Sequence, residues 1–140
     1  MRKRIVLLVE DDPETLVVMA AVLRKAGCDV FTATHEDTAI VQIVAHPEIN
    51  IIITDACFGD GGKGMCMAEQ VRRCGSNAAV VVTSTDPYAS CATLGKEAIF
   101  LLKPYGREAL LNSVAAAAAA HEVATASPIS LLPDAAGQDA

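Results

Sequence analysis

Residues 98–106 read AIFLLKPYG, and this stretch decides how the rest of the chain is interpreted. The apolar run from Ile99 to Leu102 is typical of a short buried strand, yet it ends at Lys103 and Pro104. An ammonium group at the rim of a core indicates a nearby anionic group, because a buried charge needs a partner. The residues that end the other predicted strands indicate what that partner is.

The composition narrows the class of protein. With 140 residues, the chain is long enough for one domain with a real core. A hydrophobic content of 52% with only 4% aromatic residues predicts a core of Val, Ile, Leu and Ala, which suits a buried parallel sheet. The net charge of −6 argues against direct nucleic-acid binding, and no apolar run approaches the length of a membrane span. The five cysteines lack CxxC spacing, which predicts free, mostly buried thiols and a cytoplasmic location.

Apolar runs alternate with helical patterns along the chain. We predict five strands, at residues 5–9, 28–33, 49–54, 79–83 and 99–102, with the second at an edge of the sheet. Five helices are predicted between and after these strands. The first follows Asp12, and the second follows Thr34 and ends at about residue 45. The other three cover residues 64–73, 87–94 and about 106–121. Their inward faces are predicted to carry Leu16, Met19, Ala20 and Leu23 in the first helix, and Ala39, Ile40, Ile43 and Val44 in the second. This alternation predicts a parallel α/β sheet covered on both faces.

Polar residues stand where the predicted strands end. They are Glu10 and Asp11 after the first strand, Asp55 after the third, Thr83 and Ser84 at the fourth, and Lys103 after the fifth. The carboxyl ends of parallel strands meet at one edge of the sheet, which is where such folds place their sites. Two carboxylates about 4 Å apart repel by roughly 4 kcal/mol at an effective dielectric near 20. One lysine does not offset three of them, so the pattern predicts a Mg2+ site completed by phosphate.

Asp55 is the most central of these carboxylates. It is a candidate nucleophile that becomes an acyl phosphate, while Mg2+ and Lys103 offset the charge on the transferring group and Thr83 donates to a phosphoryl oxygen. Each residue alone has a simpler explanation, such as an acidic start to a helix for Glu10 and Asp11. Their joint occurrence at four strand ends is more specific than any one of them.

Four segments carry a resemblance to a known family. IVLLVEDD (5–12), IIITDACF (51–58), VVVTST (80–85) and FLLKPY (100–105) are similar, in order and spacing, to the receiver domain of two-component response regulators. The resemblance extends over about residues 3–121. It implies a flavodoxin-like, doubly wound, five-stranded parallel sheet of (βα)5 type with strand order 2-1-3-4-5.

The resemblance also implies a role for individual residues. Asp55 is the implied phosphoacceptor, Asp11 the direct Mg2+ ligand, Glu10 a ligand acting largely through water, and the Cys57 backbone carbonyl a further ligand. Thr83, with Ser84 beside it, matches the switch hydroxyl, and Lys103 matches the lysine that pairs with phosphate. Phe100 matches the aromatic residue that swings inward, and the Lys103–Pro104 peptide bond is expected to be cis.

The loop after Asp55 departs from the family pattern. Gly59 stands where the family usually has Pro, and Gly59, Gly61 and Gly64 together fit the G-x-G-x-x-G pattern of a dinucleotide site. This alternative stays open, although four residues separate the strand from the first glycine and a carboxylate there would repel a pyrophosphate. A Walker A loop is excluded because no GK[ST] occurs. A dehalogenase-type phosphatase needs a second Asp where Cys57 stands.

We therefore predict a receiver domain over residues 1–122 and a disordered tail over 123–140. The function expected is that of a stand-alone, cytoplasmic response regulator, not an enzyme, that takes a phosphoryl group from a histidine kinase or phosphotransfer protein. Self-catalysed phosphoryl transfer and autodephosphorylation are the only chemistry expected of it. It is expected to signal through an unknown output protein, with a possible homodimer through the fourth helix, fifth strand and last helix. A receiver that signals without phosphorylation, or one excised from a hybrid kinase, is the alternative within the class.

Overall fold

The computed structural model describes residues 3–55, 67–85 and 98–125 of the chain. In chain order the elements are β1 (Ile5–Val9), α1 (Pro13–Lys25), β2 (Asp29–Ala33), α2 (Glu36–Ala45), β3 (Ile51–Asp55), α3 (Met67–Arg73), β4 (Ala79–Ser84), β5 (Ile99–Leu102) and a C-terminal helix (Arg107–Thr125). The helix predicted over 87–94 and the tail beyond residue 125 lie outside the described residues. The C-terminal helix continues four residues past its predicted end at His121.

The five strands form one parallel sheet with the order β2-β1-β3-β4-β5. This confirms the predicted fold class and the position of β2 at an edge. β3 begins at Ile51 rather than at the predicted residue 49, because its pairing with β1 starts opposite Val6. Asn50, just before β3, links the beginnings of β1 and β3, because its side-chain oxygen accepts a hydrogen bond from the Ile5 N–H at 3.0 Å.

The core lies in two layers, one on each face of the sheet. Alternate residues of β1 point to opposite faces, so Val6 and Leu8 pack with α1 and the C-terminal helix, while Leu7 and Val9 pack with α2 and α3. Both layers are dry at the centre, since these four side chains are at most 2% exposed. The sheet is therefore covered by helices on both faces, as a chain of continuous apolar strands requires.

α1 begins directly after Asp12, as predicted, and ends at Lys25. The Asp12 carboxylate accepts a hydrogen bond from the Thr15 N–H at 3.1 Å, and Pro13 occupies the first turn. The hydrogen bonds from Thr15 also lower the pKa of Asp12. Gly27, just past the end of α1, has a φ of 97°, a conformation that favours glycine. This fixed entry into α1 matters for function because Glu10 and Asp11 lie immediately before it.

α2 differs from its prediction in two respects. The N-cap of α2 is His35 rather than Thr34, and the His35 N–H donates to Thr38 Oγ1 at 3.3 Å. Val44, predicted to face inward, is 65% exposed, whereas Ala39 and Ile43 are buried. The face of α2 that is buried is therefore narrower than the apolar face that its sequence predicts. The reason is that α2 covers β2, and in the described part of the chain no further strand lies beyond β2 in the sheet.

Within the described ranges, no helix combines the length and the apolar character needed to cross a bilayer. Cys28 is buried and Cys74 half-buried, and both are free thiols as predicted. The other three cysteines lie outside the described residues.

Candidate functional site

The register of the sheet brings the predicted site residues to one edge. Asp55 at the end of β3 lies opposite Thr83 of β4, and Ser84 lies opposite Leu102, the residue before Lys103. Glu10 directly follows β1, the neighbour of β3 on the other side. Because all strands are parallel, these residues share the carboxyl edge of the sheet. The convergence inferred from the sequence is therefore present in the backbone.

An ion pair at this edge joins Lys103 and Asp55. Lys103 Nζ donates to Asp55 Oδ2 at 2.5 Å, and the two side chains are only 25% and 21% exposed. The Lys103 N–H donates to the Ser84 carbonyl at 2.7 Å, and the following peptide bond to Pro104 is cis, as expected. The lysine that ends β5 is thus held by its backbone and paired through its side chain.

Charges around Lys103 keep its ammonium group protonated. Burial by itself lowers the pKa of Lys103, but the hydrogen bond and the charge of Asp55 outweigh it, helped by the charges of Glu10 and Asp11. The net effect is a raised pKa. Glu10 and Asp11 are therefore close enough to Lys103 to contribute to one electrostatic site.

Glu10 is the most buried of the three carboxylates, at 6% exposure. Its Oε2 accepts from the Asp12 N–H at 3.1 Å, and burial raises its pKa although that hydrogen bond and Lys103 act in the opposite direction. Asp11, next in sequence, is exposed. The Glu10 carboxylate is thus buried while Asp11, its neighbour, is exposed. Burial disfavours the ionised form of Glu10 even with Lys103 nearby.

Thr83, Ser84 and Phe100 complete the described part of the site. Thr83 is 3% exposed, and its hydroxyl donates to the Thr54 carbonyl at 3.5 Å, the long limit of a hydrogen bond. Ser84 is buried as well. Phe100 is half-buried and lies opposite Val82, against the core layer that α2 and α3 cover. Among the described residues, the hydroxyl of Thr83 is accordingly held by a weak contact.

Sequence reasoning missed Tyr105. Its hydroxyl donates to the Met19 sulfur of α1 at 2.8 Å, and it packs in the core layer beneath α1. Burial, followed by the charges of Glu10 and Asp55, raises the pKa of Tyr105 to about 12. Tyr105 therefore stays neutral, and it lies near enough to Glu10 and Asp55 for their charges to affect its pKa. Its position directly after Lys103 and Pro104 was the signal available in the sequence.

The residues fit a Mg2+ ion by donor chemistry. Mg2+ is usually held by one or two carboxylates with waters and phosphate rather than by a cage of protein ligands. Among the described residues no group of three or more His, Cys, Asp or Glu side chains is arranged to hold a metal ion. Glu10, Asp11 and Asp55 therefore do not form such a group among the described residues, and Asp55 is instead paired with Lys103. Cys57 and the glycines at 59, 61 and 64 lie outside the described residues, so the carbonyl ligand and the dinucleotide alternative stay predictions.

The buried Glu10 predicts a specific dependence of stability on pH. Folding raises the pKa of Glu10. At a pH between its ordinary pKa and the raised pKa, the folded chain therefore binds more protons than the unfolded chain. The free energy of unfolding consequently falls as the pH rises through this range and Glu10 ionises. Glu10→Gln is expected to be more stable than wild type at pH 7 in EDTA, with a smaller difference at pH 4. Urea unfolding at both pH values measures this, with exposed Glu14→Gln as the control. A difference that does not change with pH contradicts the expectation.

The chain thus combines a parallel α/β sheet with acidic residues and a paired lysine at its carboxyl edge. The sequence model of the response regulator receiver domain matches residues 6–115, and the chain belongs to this family. Receiver domains are signalling domains of two-component systems rather than enzymes in the usual sense.

One curated relative and several solved structures are similar to the chain. The two-component response regulator PprB of Pseudomonas aeruginosa is 28% identical over 72 residues, or 51% of this chain; the aligned part covers only 26% of that longer protein. A receiver protein from Sinorhizobium medicae superposes with a TM-score of 0.73 at 22% identity, covering 86% of this chain and 98% of that one. A CheY-like receiver from Methanospirillum hungatei gives 0.70 at 17% identity with the same coverage. These structural likenesses support the fold.

Proposed function

We propose that this receiver domain accepts a phosphoryl group on Asp55 from a histidine kinase or a histidine phosphotransfer protein. The observation that carries the proposal is the ion pair between Asp55 and Lys103 at the carboxyl edge of the sheet. A lysine fixed at the end of β5 already neutralises the acceptor carboxylate. It is also placed to pair with the anionic group that the carboxylate would carry.

The proposed reaction is a displacement at phosphorus. A carboxylate oxygen of Asp55 attacks the phosphorus of the donor, the bond from phosphorus to the donor nitrogen breaks, and the donor imidazole keeps that electron pair. The product on this chain is an acyl phosphate with about −1.5 to −2 charges at neutral pH. The Lys103 ammonium, kept charged by its raised pKa, balances part of that charge.

Glu10, Asp11 and Asp55 would hold Mg2+ in this site, with the Cys57 backbone carbonyl as a further ligand. Bound there, Mg2+ supplies compensation for the charge that develops on the transferring phosphoryl oxygens. Glu10 acts through its burial, because its ionised form is unfavourable without a cation. Asp11 is exposed and thus open to a hydrated ion.

The proposed signal is a rearrangement of β4 and β5. A phosphoryl group on Asp55 competes for Lys103 and offers an acceptor to Thr83, whose present contact with the Thr54 carbonyl is long. Movement of Thr83 leaves room into which Phe100 turns. The phosphoryl group can shift the equilibrium between the two conformations only by as much as its interaction free energy differs between them.

The receiver acts in the cytoplasm, by contact with an output protein or as a homodimer through the face that includes β5 and the C-terminal helix, and its phosphoryl group is lost by self-catalysed hydrolysis. The boundary at residue 122 and the stand-alone arrangement stay predictions. A receiver domain of the hybrid histidine kinase CckA is among the similar structures, at a TM-score of 0.63, so the hybrid-kinase alternative also stands.

Intact mass spectrometry after incubation with acetyl phosphate and Mg2+ tests the acceptor. We expect wild type and the exposed control Asp37→Asn to gain the mass of one phosphoryl group, whereas Asp55→Asn gains none. EDTA should abolish the adduct on wild type, since the charge at the acceptor then goes uncompensated. An adduct on Asp55→Asn would contradict the proposal. NAD(H) binding without any adduct would favour the dinucleotide alternative.

A further inference from the structure

A second feature of the molecule is an apolar cavity at the amino edge of the sheet, opposite Asp55. Its volume is about 680 Å³, within the range of sites that bind ligands. Among the described residues its walls come from the end of α3, residues 76–78, the first residues of β4, Ala98 before β5, and the last two turns of the C-terminal helix. Nothing in the phosphoryl chemistry proposed above uses this cavity.

Several of the described residues in the cavity walls are small. Ala79 and Ala98 at the strand starts and Ala120 and Ala124 on the helix present only methyl groups to it. Val123, on the same helix, is 72% exposed although it is a large apolar side chain. The walls therefore present apolar surface that a further apolar segment could cover.

We propose that residues 128–133, Pro-Ile-Ser-Leu-Leu-Pro, dock in this cavity. The cavity is bounded by the last turns of the helix that leads directly into this segment, which places it within reach. Ile129 is four residues beyond Thr125, and four extended residues span up to about 14 Å. Because the segment is tethered beside the cavity, its effective concentration is on the order of millimolar, and weak contacts suffice to seat it.

The chemistry of the segment fits the cavity in two respects. Ile129, Leu131 and Leu132 are the apolar branched side chains of the tail, and two prolines flank them and limit the freedom lost on docking. The tail from residue 126 to 140 carries Asp134 and Asp139 and no basic residue, whereas Arg72 lies at the cavity wall. An acidic tail with an apolar centre therefore complements a mostly apolar cavity that has Arg72 in its wall.

Methyl NMR of the full chain tests the contact directly. We expect nuclear Overhauser effects from the methyl groups of Leu131 and Leu132 to those of Ala98 and Val123. The double variant Leu131→Asp/Leu132→Asp should shift the methyl signals of Ala98 and Val123 and show faster amide exchange at Ala79 and Val80. The matched control Ala135→Asp/Ala136→Asp adds the same charge to the same tail and should change neither measurement.

Three outcomes would overturn the proposal. The first is the absence of these effects in wild type. The second is an equal response of the cavity residues to both double variants. The third is a signal that weakens on dilution, which would assign the contact to a second copy of the chain. Asp55 lies at the opposite edge of the sheet, so phosphorylation of Asp55 is an independent readout and separates failure of this proposal from failure of the proposed function.

Discussion

Lys103→Gln is expected to slow phosphorylation of Asp55 by acetyl phosphate about 10²- to 10³-fold, the cost of removing one group that stabilises the developing charge. Lys103 Nζ lies 2.5 Å from the acceptor carboxylate, and it is the cation that the structure places there. Glutamine keeps much of the side-chain length but carries no charge. The rate is measured by intact mass against time at a fixed concentration of Mg2+ and donor.

Lys25→Gln is the matched control, because Lys25 is exposed at the end of α1, away from the carboxyl edge. It removes one positive charge from the same chain and should leave the rate unchanged. Urea unfolding of both variants checks that each is folded under the conditions of the assay. A Lys103→Gln variant that is folded and reacts as fast as wild type would remove Lys103 from the proposed chemistry.

Leu8→Ala is expected to lower the free energy of unfolding by about 2–5 kcal/mol. Leu8 is fully buried on β1, where it packs between α1 and the C-terminal helix, and its removal leaves a cavity in the central layer. Domains of this size have a total stability of roughly 5–15 kcal/mol, so the variant approaches the limit of folding. Urea denaturation followed by circular dichroism measures the change.

Leu102→Ala provides the same chemical change at a surface position. Leu102 is the last residue of β5 and is 44% exposed, so we expect a loss within about 1 kcal/mol. Equal losses in the two leucine variants would contradict the layered core described here. Leu8 also matters for the position of Glu10, which follows it by two residues, because Leu8 packs β1 into the core.

The sheet was the most predictable part of the molecule. Continuous apolar runs such as Ile5–Val9 admit few alternatives, since a strand buried on both faces has to be apolar throughout. The predictions for α2 were less accurate, because the face that a helix buries depends on what lies beneath it. Val44 fits the helical period but is exposed, and the first cap is His35 rather than Thr34.

The positions of the candidate site residues were predictable, but the contacts of their side chains were not. Strand ends identified Asp55, Thr83 and Lys103 because parallel strands carry their carboxyl ends to one edge. Side-chain pairing could not be read from spacing, so the direct contact between Lys103 and Asp55 emerged only in the structure. Tyr105 was missed because its contact with Met19 joins residues 86 positions apart.

The central claim, that Asp55 is the residue that becomes phosphorylated, is tested most directly by reductive trapping. Borohydride reduces an acyl phosphate to the alcohol with release of phosphate, so a phosphorylated aspartate becomes homoserine and is marked in place. After treatment with acetyl phosphate, Mg2+ and then borohydride, peptide mass spectrometry should find homoserine at position 55 and aspartate at positions 11 and 12. Homoserine at another position, with unmodified aspartate at 55, would contradict the account.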